Sequence, residues 1–487
     1  MTARRHELAA LLIPAIHWDA ATGYAPARAA VDQALEFGVG GFILYGGEQD
    51  AVQAFTKEMR ARSRHPLLIA ADLERGAGEQ FAGATGLPPL AAIASLDDID
   101  AVRRAARLTA REARTMGVNW DFAPVCDLDL DPTNPIMGAR SFGALPAQAG
   151  MYAAQWIIAC QAEGVLACAK HFPGHGRTAT DSHRELPVVH ASMDTLYETD
   201  LVPFRAAIDA GVASLMTAHV AYPALDASGA PATLSREILH WLLRQRLKFD
   251  GLVVSDAVTM DGVLQGRTES QAVVAAVRAG CDLVLAPSDL EATLAALDQA
   301  MQERGLDEDK VRQSLRRRLK WAQWASPPNA YRKPSMSDTA WGNQLAERVI
   351  GVARGAVPTL APPVDVIVVD DDPGTVDRGA FPDALRGGGW DVRVVEAPTP
   401  TVRSPLIIAL FGDVRAWKGR AGYAPATREA VSALCARAAA AHREVLVVQF
   451  SPPRLAAEIP EAPNLVTAWC GDRAMQCAAA RWLRRQS

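Results

Sequence analysis

Eight short apolar runs recur through the first 325 residues, separated by longer segments whose apolar positions repeat every three or four residues. The runs are 9–15 (AALLIPA), 40–45 (GGFILY), 67–72 (LLIAAD), 119–125 (NWDFAPV), 166–171 (LACAKH), 213–219 (ASLMTAH), 251–256 (GLVVSD) and 281–286 (CDLVLA). Most are apolar through both faces, as parallel strands covered by helices should be. Helical patterns lie between them, at 98–116, 146–163, 195–210, 236–247 and 290–304. Alternation of strand and helix predicts a parallel α/β architecture, and eight units predict a closed barrel. Polar residues cluster at the C-terminal ends of the runs: Asp72, Asp127, Lys170, His171, His219 and Asp256. In a barrel those ends converge on one mouth, whereas in an open sheet they would line a long edge.

Residues 326–338 (SPPNAYRKPSMSD) are rich in Pro and Ser and lack periodicity, which predicts a linker. A second α/β pattern follows. Strands are expected at 364–370, 391–395, 405–411, 444–450 and 464–468, and helices at 339–354, 426–442 and 472–485. The expected organisation is a (β/α)8 TIM-like barrel over 1–325, the linker, and a smaller α/β sandwich domain over 339–487.

Composition changes this picture little. A net charge of −5 gives no electrostatic case for nucleic acid. Arg316, Arg317, Arg318 and Lys320 fall in a helical pattern with Leu315 and Leu319 and are expected on a solvated face, as are Arg484 and Arg485. The seven cysteines are widely spaced with no CxxC, so neither a zinc knuckle nor a disulfide framework is expected. Buried thiols in a reducing compartment fit best. Glu7 and Pro14 interrupt the apolar N-terminal run and no small-residue cleavage site follows, so a signal peptide is not expected. No run approaches 18 apolar residues, so no membrane span is expected. These features predict a cytoplasmic protein, either monomeric or homodimeric.

The densest polar stretch is 170–185, KHFPGHGRTATDSHRE, which starts at the end of the fifth run. A phosphate cradle would need the GK[ST] ending it lacks. A metal site is open to His171, His175 and His183, although their spacing is not that of HExxH on a helix. Acid/base catalysis fits better. In an extended loop Asp181 and His183 point to one side, so the carboxylate can fix the ring's tautomer and stabilise its imidazolium. Taken alone, the pair is also what a solvent-exposed loop would show. Asp256 ends the seventh run and is either a nucleophile at the barrel mouth or the N-cap of the next helix. Asp72 and Arg140 are good hydroxyl binders and equally good structural ion-pair partners.

KHFPGHG at 170–176 with DSH at 181–183 resembles the β-N-acetylglucosaminidases of glycoside hydrolase family 3. GGFILYG at 40–46, FAPVCD at 122–127, RSFG at 140–143, SLMTAHV at 214–220 and SDAVTM at 255–260 resemble that family's segments in the same order. The resemblance implies a retaining β-N-acetylhexosaminidase, with Asp256 as nucleophile and Asp181 with His183 as the acid/base pair on a mobile loop. It implies that Asp72, Arg140, Lys170, His171 and His219 hold the sugar, and that neither metal nor organic cofactor takes part. Ala257 stands where many relatives carry a second aspartate, and LERGAG follows Asp72 where QEGGR is common. A β-glucosidase, a phosphorylase or a non-catalytic sugar-binding barrel are the alternatives.

Overall fold

In a computed structural model of the chain, residues 2–325, 335–373, 377–397 and 403–486 are described, and they form two compact units. Among them, the first unit takes residues 2–85, 99–134 and 141–325, and the second takes residues 86–98, 135–140 and those from 335 onward.

Nine parallel strands build the first unit: β1 (Leu12–Ile13), β2 (Ala15–His17), β3 (Gly41–Tyr45), β4 (Leu68–Ala71), β5 (Trp120–Asp121), β6 (Leu166–Phe172), β7 (Ser214–Thr217), β8 (Leu252–Ala257) and β9 (Leu283–Leu285). β1 and β2 are one strand path broken at Pro14, which has no N–H to give a ladder. Leu12 and Ile13 pair with Val284 and Leu285, while Ala15, Ile16 and His17 pair with Ile43, Leu44 and Tyr45. The sheet order β1-β9-β8-β7-β6-β5-β4-β3-β2 therefore returns to its start, and the eight runs make an eight-stave barrel. Alternate positions fill its interior: Leu68 and Ala70, Trp120 and Phe122, Leu166 and Cys168, Leu252 and Val254. The Trp120 indole N–H keeps a partner there, donating to Ser214 Oγ at 2.7 Å.

One expectation fails on the helix Glu308–Trp324. Arg318 is buried at 3% exposure and donates to the carbonyls of Gly40 and Pro66 at 3.1 and 2.7 Å, while Leu319 is exposed. Hydrogen bonds to these two carbonyls hold Arg318 inside despite the helix's apolar pattern. Arg317 is also tied down, with Asp282 at 3.2 Å.

The second unit holds β10 (Gly351–Arg354), β11 (Val364–Asp370), β12 (Val392–Val394), β13 (Leu406–Phe411), β14 (Val445–Phe450) and β15 (Leu465–Thr467), in the order β10-β15-β14-β13-β11-β12. All neighbours are parallel except β10 with β15. Val366, Ile407, Ala409, Leu446 and Val448 pack on one face, and Ile367, Ile408, Leu410, Val445 and Val447 pack on the other, as a sheet covered on both sides requires. Of the expected linker, residues 326–334 lie outside the described residues. Its last part begins a helix instead: Ser335 caps Met336–Arg348 in a capping box with Asp338. That helix stops short of the expected 354, because 351–354 pairs as edge strand β10. No helix among the described residues is long and apolar enough to cross a membrane.

Candidate active site

The C-terminal ends of β4 to β8 deliver a connected set of polar groups. Lys170 and His171, joined by a cis peptide bond, stand just before the last residue of β6. The Lys170 ammonium is 2% exposed and lies 2.6 Å from Asp72 Oδ1, past the end of β4, and 2.8 Å from Glu74 Oε1. One buried cation thus fixes two carboxylates. Lys170→Met would remove the ammonium 2.8 Å from Glu74, which is itself 5% exposed. We expect that variant to lose about 3–5 kcal/mol of stability at pH 7. Urea unfolding measures it.

His171 is held from behind. Asp127 Oδ2 accepts from its Nδ1 at 2.7 Å and from its backbone N–H at 3.1 Å. Asp127 Oδ1 also accepts the His175 backbone N–H at 2.6 Å. Burial raises the Asp127 carboxyl, but His171 and His175 more than reverse this and hold it below its ordinary range. With Nδ1 committed, His171 turns Nε2 toward Asp256, 4.0 Å from Oδ2.

Asp256 lies within β8 and its side chain is 20% exposed. It does not cap the next helix: Asp261–Leu264 is preceded by Met260, and Asp256 Oδ1 accepts the N–H of its neighbour Ala257 at 2.7 Å. Burial pushes this carboxyl up. The charges of His171, His219 and His183, together with the Ala257 N–H, overcome that and bring it down to about 2. Asp256 is therefore a carboxylate at any ordinary pH.

Asp181 and His183 pair as the sequence suggests, but in a turn instead of an extended loop. Asp181 Oδ1 accepts the His183 ring Nδ1 at 2.7 Å and its backbone N–H at 3.0 Å, and the Asp181 carbonyl takes the Arg184 and Glu185 N–H groups. Asp181 is buried, while the His183 side chain is 22% exposed. The carboxylate is enclosed and the ring is partly exposed.

His219 sits at 0% exposure beyond β7. Its Nε2 donates to the Ala257 carbonyl at 3.0 Å and its Nδ1 lies 2.7 Å from the Thr233 hydroxyl. Burial pushes its pKa down, against the pull of Asp256. Its geometry is that of a support for the Asp256 segment. Arg140 closes a 3-10 turn in residues 135–140, which group with the second unit, and it donates to the Ile136 carbonyl at 3.3 Å. The geometry thus gathers Asp72, Lys170, His171, Asp181, His183, His219 and Asp256 at the barrel's strand ends, with Arg140 in the other unit. Sequence reasoning missed Glu74, Tyr45 and the hub role of Asp127. Tyr45 ends β3, stacks on His17 at 4.9 Å, and feels the charges of Asp72 and Asp256. Its one signal was its place at a strand end.

Residues 5–320 match the family model described as the glycosyl hydrolase family 3 N terminal domain. A β-N-acetylglucosaminidase/β-glucosidase of Cellulomonas fimi is 39% identical over 262 residues, which span 52% of this chain and 46% of that protein. The chain thus spans about half the length of that relative. A β-hexosaminidase of Thiobacillus denitrificans is 39% identical over 273 residues, covering 53% of this chain and 75% of that one. Among solved structures, a family 3 β-N-acetylglucosaminidase of Paenibacillus sp. superposes with a TM-score of 0.85 at 25% identity, covering 100% of this chain and 97% of the other. The β-glucoside phosphorylase BglX gives a TM-score of 0.86 at 21% identity, covering 100% and 93%, which extends to the fold alone. With the family model covering the barrel and a relative matched over three quarters of its length, this chain belongs to glycoside hydrolase family 3.

Proposed function

We propose that the protein is a retaining β-N-acetylhexosaminidase that releases terminal N-acetyl-β-glucosaminides, with Asp256 as nucleophile and His183 as acid/base. One observation carries the reading: a partly exposed, ionised Asp256 at the barrel mouth, within reach of the charge of a His183 ring that a buried Asp181 holds by Nδ1. In the first step a carboxylate oxygen of Asp256 attacks C1 of the sugar, the bond from C1 to the leaving oxygen breaks, and His183 gives that oxygen its proton. In the second step neutral His183 takes a proton from water as the water oxygen attacks C1, and Asp256 leaves as carboxylate. Two inversions give net retention. Asp181 stabilises the imidazolium present before the first step and restored after the second. In this reading Asp72 and His171 bind sugar hydroxyls, Lys170 orients Asp72, and His219 steadies the nucleophile's segment. Arg140 stays a candidate hydroxyl binder on the family resemblance.

The names of the relatives support an N-acetylglucosaminide over a plain glucoside. We expect kcat/KM for 4-nitrophenyl N-acetyl-β-glucosaminide to exceed that for the β-glucoside by at least about tenfold. Equal values would replace this reading with a broader β-glycosidase. The reading extends to a cytoplasmic enzyme of peptidoglycan recycling; six buried cysteines fit a reducing compartment. Muropeptide fragments against chitobiose test the aglycone.

A phosphorylase reading has one point in its favour. An imidazole base is uncharged when deprotonated, so it does not repel an anionic acceptor as a carboxylate base would. The surroundings weigh against it. Among the described residues of the cluster, Lys170 pairs with Asp72 and Glu74, while Asp127, Asp181 and Asp256 lie against His171 and His183 and add three more carboxylates. Nearby Arg75 and Arg177 are paired with Glu79 and Asp200. Such a field favours water over phosphate.

A further inference from the structure

The residue just before His183 is held from two directions, and neither hold belongs to the catalytic steps. Ser182 is 2% exposed. Its hydroxyl lies 2.9 Å from Nε2 of His175, a ring that is also 2% exposed. Its carbonyl accepts the backbone N–H of Gly262 at 3.1 Å. Gly262 follows Asp256 by six residues, so this bond ties the acid/base loop to the segment beyond the nucleophile.

The tautomer of His175 can be read from its partners. The Thr178 hydroxyl donates to the His175 carbonyl at 3.0 Å, so it accepts from Nδ1–H, 2.7 Å away. Nε2 is then the acceptor, and Ser182 donates to it. Burial pushes the His175 pKa down to about 4, which keeps that acceptor available at neutral pH. The ring is itself fixed: its backbone N–H goes to Asp127, and its carbonyl accepts Asn134 Nδ2 at 2.9 Å. Asp127 is the carboxylate that also aims His171. Glycine is required on the other side. A Cβ at position 262 would stand 2.6 Å from the Ser182 carbonyl oxygen and 3.1 Å from that of Glu185.

We infer that His175 and Gly262 form a latch on Ser182 that sets where the His183 ring points, which makes His175, Ser182 and Gly262 positioning residues for proton transfer. The inference rests on the acid/base role proposed for His183. Because Ser182 adjoins His183 in the chain and does not touch Asp256, loosening its hold should harm substrates whose leaving group needs a proton more than those whose leaving group does not.

The test measures kcat/KM, which reports the steps from free enzyme through bond cleavage and not the second step, on an alkyl and on a 2,4-dinitrophenyl N-acetyl-β-glucosaminide. Ser182→Ala deletes one oxygen and is the variant most certain to fold, which thermal melting checks. It should lose about 10-fold or more on the alkyl glycoside and stay within about threefold on the dinitrophenyl one. Gly262→Ala should show the same split. His175→Gln, whose amide oxygen can still take the Ser182 hydroxyl, should recover part of the loss seen in His175→Leu. Equal losses on both substrates, or none on either, in a folded Ser182→Ala protein would overturn the latch. An inactive wild-type protein would instead overturn the glycosidase reading, and the latch with it.

Discussion

Asp256→Asn should lower turnover of aryl N-acetyl-β-glucosaminides by roughly 10⁴-fold or more while leaving the melting temperature close to that of the wild type. The substitution is nearly isosteric, and the amide oxygen can still accept the Ala257 N–H now taken at 2.7 Å. What disappears is the anionic oxygen that attacks C1, and no neighbour can replace it: Asp127 is engaged by His171 and His175, and Asp181 by His183. Replacement by Gly opens space for an external nucleophile. Azide would then enter from the face the carboxylate had occupied and yield an α-glycosyl azide from a β-glycoside. The pH behaviour follows from the low pKa. A carboxyl held at about 2 is charged everywhere above that value, so protonation of the nucleophile begins to cost activity only as pH falls toward 2. An acid limb of kcat/KM at higher pH must belong to another group. An Asn variant that keeps more than about a hundredth of wild-type activity would remove Asp256 from the role given to it.

How much of this could be read in the chain varies with how local each determinant is. The eight apolar runs became the eight staves because a strand buried on both faces announces itself by composition. The break at Pro14 was not anticipated, since 9–15 reads as one run, although a residue without an N–H interrupts any ladder. Strand β10 was not legible: Gly351, Val352, Ala353 and Arg354 carry no alternation, and the open edge of β15 makes them a strand. Arg318 was misread because the pattern of its own helix says nothing of the two carbonyls it reaches, more than 250 residues away in the chain. The candidate site divides along the same line. Residues at strand ends could be named, and the Asp181–His183 pair is two residues apart. The Asp127–His171 pair spans 44 residues, a separation that leaves no periodic trace. Strand-end position also could not foretell that His219 would be enclosed with both ring nitrogens bonded to the protein.

His183→Ala should separate the two halves of the reaction. For an alkyl or oligosaccharide leaving group, kcat/KM should fall about 10²- to 10⁴-fold, because the departing oxygen then leaves without a proton. For a dinitrophenyl leaving group, which needs no proton, kcat/KM should stay near the wild-type value. Its kcat should drop nevertheless, because the second step loses the base that activates water. The glycosyl-enzyme then accumulates, giving a burst of dinitrophenolate equal to the enzyme and a mass increase of one sugar on the peptide bearing Asp256. Azide needs no base, so it should restore kcat in this variant and yield a β-glycosyl azide, the opposite anomer to that from the Asp256 variant. One anion thus reports both residues by the configuration of its product. Asp181→Asn keeps the bulk beside the ring but removes the charge that stabilises imidazolium, and it should give the same pattern at smaller amplitude. If His183→Ala slows both leaving groups equally, or azide leaves kcat unchanged, the ring at 183 is not the group that moves the proton.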